Sequence, residues 1–81
     1  MESKYISVGP LPSFYTIIDI QKVFNAYSLE RVALVNSHAY IEFVDSSDVE
    51  ALEFMFEDKI IRDLSNASYT ILENNFEWPK V

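Results

Sequence analysis

The clearest pattern in the chain is the alternation of polar and apolar residues over 38–43, HAYIEF. A strand with this period of two places His38, Tyr40 and Glu42 on one face and the three apolar residues between them on the other. The apolar face predicts contact with a core. The opposite face therefore carries an imidazole and a phenol that the core does not need.

The preceding run, residues 29–35 (LERVALV), alternates more weakly and is separated from this strand by Asn36 and Ser37. A two-residue turn at these positions forms a hairpin in which the apolar faces of both strands coincide. The same register places Arg31 opposite Glu42, a favourable cross-strand pair. Because the turn contains no glycine, Asn36 has to adopt a positive φ.

The segment before this hairpin has the spacing of an amphipathic helix. In residues 16–27, TIIDIQKVFNAY, apolar side chains recur every three or four positions. Thr16 and Asp19 have the types and spacing of a capping box, which satisfies backbone donors at a helix start. The pattern predicts a helix that begins at Thr16.

A second helix is predicted for residues 48–59, DVEALEFMFEDK, with Ser47 and Glu50 as its capping box. Its apolar positions share one face. Glu50, Glu53 and Glu57 share another, which is strongly negative and expected to be exposed.

Two further strands complete the predicted order. Residues 4–8 (KYISV) end at a Gly-Pro pair, and residues 68–72 (SYTIL) alternate again after an irregular stretch at 60–67. The order βαββαβ predicts an α+β domain in which two helices cover one face of a four-stranded antiparallel sheet. The other face is expected to be open, so that His38 and Tyr40 are available to a ligand.

Length and charge limit the function. The 81 residues predict a single domain, 1–81, with a core at about 5–72 and a tail at 73–81, cut from a larger multidomain protein. Thirteen acidic and six basic residues give a net charge of −7, which repels a phosphate backbone and favours basic or apolar partners. The chain has no signal-like or long apolar segment, so we expect an intracellular protein of the nucleus or cytoplasm without a membrane partner.

The sequence contains little that indicates a catalytic site or a metal site. The chain has no cysteine, which excludes disulfides and thiolate sites. Ser37 and His38 are neighbours whose side chains point apart, so they do not form a nucleophile and base pair. Asp45 and Asp48 lack the glycine and third ligand of a calcium loop. We therefore expect no enzymatic activity, no catalytic or metal-binding residue and no cofactor.

Residues 5–72 resemble an RNA recognition motif (RRM). ISVGPL at 6–11 is similar to the first-strand hexamer of that family, and NSHAYIEF at 36–43 is similar to its third-strand octamer. The resemblance implies a ferredoxin-like sandwich that binds single-stranded RNA by stacking bases on aromatic residues of the open sheet.

The chain departs from the family at three motif positions. Ser7 stands where an aromatic residue is usual, and Asn36 and Ser37 replace the basic residue and glycine that open the octamer. His38 and Tyr40 keep rings at its two aromatic positions. The resemblance therefore implies weak RNA binding. The residues expected to bind RNA are Tyr5, Ser7, Arg31, His38 and Tyr40.

The alternative is a module of RNA metabolism that binds another protein, or a second copy of itself, through the acidic helix or the sheet. Residues 62–64 lie where a splicing-factor branch of the family carries Arg-x-Phe, but Leu64 replaces the Phe. Trp78 and Phe76 either plug the sheet or form an exposed anchor; a covered sheet favours protein binding. The residues expected for this role are Glu50, Glu53, Glu57, Arg62 and Trp78.

Overall fold

The computed structural model describes residues 3–80, so Met1, Glu2 and the predicted tail end at Val81 lie outside the described residues. Its elements are β1 (Tyr5–Gly9), α1 (Ile17–Val23), β2 (Leu29–Val35), β3 (His38–Phe43), α2 (Ser46–Met55), β4 (Ile60–Ile61), a 3-10 helix (Arg62–Leu64) and β5 (Ala67–Ile71). The antiparallel sheet has the order β2-β3-β1-β5-β4. The predicted α+β class is confirmed. No helix within 3–80 has the length and apolar character needed to cross a membrane.

Within residues 3–80 the sheet has five strands, and the prediction of four was wrong by one short strand. Ile60 and Ile61 pair with Ser68 and Ala67 of β5. Ser65 and the residue after it have φ values of 57° and 60°, so the chain reverses directly after the 3-10 helix. The Ile61 side chain is fully buried in this arrangement, and burial of an apolar β-branched residue favours the added strand.

The β2-β3 hairpin has the predicted register. Val35 pairs with His38 at the turn, and Arg31 pairs with Glu42 at the far end. Asn36 has a φ of 51° and Ser37 a φ of 67°. Two positive φ values are those of a type I′ turn, whose twist matches the twist of the strands.

The start of α1 is also as predicted. The Thr16 hydroxyl accepts a hydrogen bond from the backbone N–H of Asp19, whose carboxylate accepts one from the backbone N–H of Thr16 at 2.8 Å. This backbone hydrogen bond lowers the pKa of Asp19 below its ordinary value. The helix ends at Val23, several residues earlier than the pattern indicates, and the chain continues in turns.

The start of α2 differs from the prediction. Asp45, and not Ser47, is the N-cap residue, and its carboxylate accepts a hydrogen bond from the backbone N–H of Ser47 at 3.0 Å. This bond lowers the pKa of Asp45. An ionised carboxylate is a stronger acceptor than a hydroxyl and suits the positive end of the helix dipole. The helix ends at Met55, so Glu57 lies in the turn after α2 and not on its outer face.

The core lies between the two helices and one face of the sheet. At one end of it, the Phe43 ring makes T-shaped contacts with the rings of Phe24 and Tyr27, at centroid distances of 6.3 and 5.9 Å. Burial raises the pKa of Tyr27. The largest fully buried side chains are Phe24, Phe43, Ile6, Ile20, Ile41, Leu52, Ile61, Leu64 and Val8. These side chains leave the opposite face of the sheet for other contacts.

Candidate nucleic-acid interface

The five residues predicted to bind RNA share the face of the sheet that points away from the helices, called here the outer face. In the strand register, Ser7 lies opposite Tyr40, and Tyr5 lies opposite Glu42, which in turn faces Arg31. On β1 and β3 these residues alternate with buried neighbours, and the register places Arg31 of β2 on the same face. Tyr40 lies on β3, between β1 and β2, with Ser7 where a second ring would stand.

The outer face is not open, which corrects the expectation from the sequence. Residues 73–80, called here the tail, turn back after β5 and place Phe76 over the sheet. The rings of Phe76 and Tyr40 are stacked, with centroids 5.5 Å apart and planes 16° apart. The Tyr5 ring lies 5.7 Å from Phe76 at 53°. Phe76 thus contacts both tyrosines that were predicted to bind RNA, Tyr5 and Tyr40.

The arginine of the outer face is engaged on two sides. Its Nε donates a hydrogen bond to Oε1 of Glu42 at 2.6 Å, which confirms the predicted cross-strand pair. Its Cζ lies 4.3 Å from the centre of the Trp78 ring, a cation–π contact. The rings of Trp78 and Phe76 also form a T-shaped pair, with centroids 6.5 Å apart and planes at 80°. Trp78 therefore packs on the sheet, which decides between the two placements considered for it.

His38 lies at the other end of the outer face, about 13 Å along β3 from Glu42 at 3.3 Å per residue. Its ring is half-buried, and Nδ1 lies 3.2 Å from the carbonyl oxygen of Asn36. A Cβ added to Gly9 would lie 2.6 Å from Cδ2 of the imidazole. The glycine therefore lets the ring lie directly against β1. Within residues 3–80, no group of three or more His, Asp and Glu side chains is placed to hold a metal ion.

Side-chain contacts hold most of the tail. The backbone N–H of Leu72 donates to Tyr5, and that of Phe76 donates to Glu73, but within the described residues no backbone hydrogen bond joins 74–80 to the sheet. An aromatic pair contributes about 0.5–1.5 kcal/mol beyond its area burial, and an exposed cation–π contact about 0.5–1 kcal/mol. Stacking of one base on an aromatic residue is worth about 1–3 kcal/mol. The ring contacts that hold the tail are therefore similar in magnitude to the stacking of one base on an aromatic residue.

The residues of the alternative site are not all brought together. Glu50 and Glu53 are exposed on α2 and line a groove of about 590 Å³ between α2 and the end of β5. Arg62, in the 3-10 helix, is paired with Asp58, and this hydrogen bond lowers the pKa of the Asp58 carboxyl. Trp78 lies on the outer face, across the sheet from α2. The structure thus separates Trp78 from the acidic surface.

Sequence reasoning missed an apolar surface at the C-terminal end of α2. Phe54 is 82% exposed and Met55 is 68% exposed. With Glu57, Asp58 and Arg62 they line one shallow depression, called here the α2 end patch. The signal available in the sequence was the run 54–56, FMF, in which only one of three adjacent apolar side chains points to the core.

Solved structures with the same fold are known, although neither a protein-family model nor a curated protein sequence matches the chain. One is a structure of the Nab3 RRM, described in terms of its recognition of cis elements in non-polyadenylated RNAs. It has a TM-score of 0.71 and 15% sequence identity, over 89% of this chain and 97% of that one. Another is a complex of two RRM domains, with a TM-score of 0.62 and 13% identity, over 100% of this chain and 96% of that one. The chain therefore has the fold of an RNA recognition motif.

Proposed function

We propose that the chain is a non-catalytic module that binds single-stranded RNA weakly through the aromatic residues of its outer face. The observation that carries this proposal is the stack of Phe76 on Tyr40, at 5.5 Å and 16°. A planar ring already lies on Tyr40 in the arrangement that a stacked base adopts in this mode of recognition. The fold shared with the Nab3 RRM, whose structure concerns RNA recognition, supports the same function.

Weak binding follows from what the outer face lacks. Ser7 supplies no ring, Arg31 is held by Glu42, and the net charge of −7 opposes the approach of phosphates. Two stacked bases at about 2 kcal/mol each correspond to a dissociation constant on the order of 1 mM. Neighbouring domains of a larger protein would supply the remaining affinity.

The covering tail would favour protein binding over RNA binding if it were a fixed part of the core. Its contacts argue against that role. Phe76 and Trp78 remain half-buried, Glu77 and Lys80 are exposed, and side-chain contacts of the rings hold the segment in place. A bound RNA can replace these ring contacts with base contacts of the same kind, so a covered outer face is compatible with RNA binding.

The salt dependence of RNA binding tests this proposal. Fluorescence anisotropy of a labelled RNA of about six nucleotides, titrated with the full chain up to millimolar concentration, should show weak binding. On a single strand, each neutralised phosphate contributes about 0.7 to the slope of log K against log salt. Because stacking dominates and Arg31 is already paired, we expect a slope of magnitude below about 1. A slope of several units, or no binding at all, would contradict the proposal.

A second candidate function is the binding of a basic peptide at the α2 end patch. The observation that favours it is the exposure of Phe54 and Met55, 82% and 68%, beside the carboxylates of Glu57 and Asp58 in the following turn. An exposed apolar surface with an acidic border fits a partner with an apolar anchor and flanking Lys or Arg. A second copy of the chain fits less well, because both copies carry a net charge of −7.

Peptide binding at the α2 end patch is tested by the change Phe54→Ala. Loss of a buried aromatic anchor typically costs about 2 kcal/mol, so we expect affinity for a Lys-flanked Leu or Phe peptide to fall more than tenfold. Isothermal titration calorimetry at low and high salt measures this loss and its screening. Phe76→Ala is the matched control and should leave peptide binding unchanged. Equal affinity of the Phe54 variant and the unchanged chain would remove this candidate.

A further inference from the structure

We infer that the tail is a built-in competitor for RNA, in which Phe76 occupies the base-stacking position on Tyr40 and leaves when RNA binds. This inference rests on the proposed function and adds its regulation. The stacked pair is the first observation behind it, since a ring and a base cannot occupy the same face of Tyr40 together. The second tyrosine, Tyr5, is in contact with the same Phe76 ring, 5.7 Å away.

Trp78 blocks a different part of the outer face. Its ring lies 4.3 Å from the guanidinium carbon of Arg31, the arginine predicted to meet a phosphate. The same side chain also donates a hydrogen bond from Nε to Glu42. The tail thus covers both kinds of group that RNA needs, a ring through Phe76 and a cation through Trp78. A segment that merely fills space would not have to match both.

The tail is positioned to compete strongly despite its few contacts. A turn at 73–76, closed by the hydrogen bond from Phe76 N–H to the Glu73 carbonyl at 3.0 Å, joins it directly to the end of the sheet. A short connection holds a tethered ligand at an effective concentration in the millimolar range or above. If the outer face is free in about one tenth of the molecules, the apparent RNA affinity is about tenfold below its intrinsic value.

The test compares the RNA affinities of two phenylalanine variants of the full chain. Phe76→Ala removes the stacked ring and should bind a short single-stranded RNA about tenfold more tightly than the unchanged chain. Phe54→Ala removes a ring that is 82% exposed on α2, across the sheet from Tyr40, and should leave RNA affinity unchanged. Circular dichroism of each variant checks that it is folded.

A second measurement needs no variant. Trp78 is the only tryptophan of the chain, so its fluorescence reports on the tail alone. Addition of RNA to the unchanged chain should increase quenching of this fluorescence by acrylamide, because the indole leaves Arg31.

The outcomes separate the inference from the function on which it rests. Equal affinity of Phe76→Ala and the unchanged chain, with Trp78 still protected in the complex, overturns the competitor role while RNA binding stands. No binding by any variant, Phe76→Ala included, overturns RNA binding and the competitor role together. Tighter binding by Phe76→Ala, with Trp78 released by RNA, establishes both.

Discussion

Replacement of Phe43 by alanine is expected to lower the free energy of unfolding by about 3–5 kcal/mol. Phe43 is fully buried at the end of β3, where Phe24 and Tyr27 meet it edge to face. The change removes the ring that both neighbours contact and leaves a cavity in the core. A chain of this length has a total stability on the order of 4–12 kcal/mol, so much of it would be lost.

Urea unfolding followed by circular dichroism measures this effect, and Phe54→Ala is the matched control. Both substitutions remove one phenylalanine ring, but the Phe54 ring is 82% exposed and its loss should change stability by less than about 0.5 kcal/mol. A similarly small loss of stability for Phe43→Ala would show that the rings of Phe24, Tyr27 and Phe43 do not pack together in the core.

Replacement of Tyr40 by alanine is expected to weaken RNA binding about tenfold to a hundredfold when the tail no longer competes. The comparison is therefore made in chains that carry Phe76→Ala, so that only the base contact changes. Tyr40 is the central ring of the outer face, and loss of one stacked base costs about 1–3 kcal/mol. The same change in the chain with Phe76 intact also removes the ring that Phe76 stacks on.

Tyr40→Phe is the control for this prediction, because it keeps the ring and removes only the hydroxyl. RNA affinity should stay within about twofold of the parent chain, since stacking depends on the ring face. Anisotropy titrations at one fixed salt concentration provide both values. If the alanine and phenylalanine variants bind equally well, RNA does not use the outer face at Tyr40.

The hairpin and the first helix cap could be predicted because local chemistry determines them. A two-residue turn at Asn36 and Ser37 allows one register that keeps the apolar faces together, and that register places Arg31 against Glu42. Thr16 and Asp19 act on each other within one helical turn. Such interactions join residues that are close in sequence, so they can be recognised from the sequence pattern.

Three features could not be predicted, because each depends on contacts that the pattern of apolar and polar residues does not show. They are the fifth strand, the cap of α2 and the covered outer face. Ile60 and Ile61 are too few to display a period, and they form β4 only because β5 offers an edge. Asp45 and Ser47 are both good cap residues, so the pattern alone does not determine which of them is the N-cap of α2. Phe76 has no periodic neighbours, and its position is set by the exposed face of Tyr40.

The most direct test of RNA binding on the outer face is an NMR titration of the isotope-labelled full chain with a short single-stranded RNA. We expect the signals of Tyr5, Tyr40 and Arg31 to shift. Cross-peaks between the Tyr40 and Phe76 rings should disappear, and cross-peaks from Tyr40 to a base should replace them. Unchanged signals of the sheet residues at millimolar RNA, with the Tyr40 and Phe76 cross-peaks retained, would contradict this expectation.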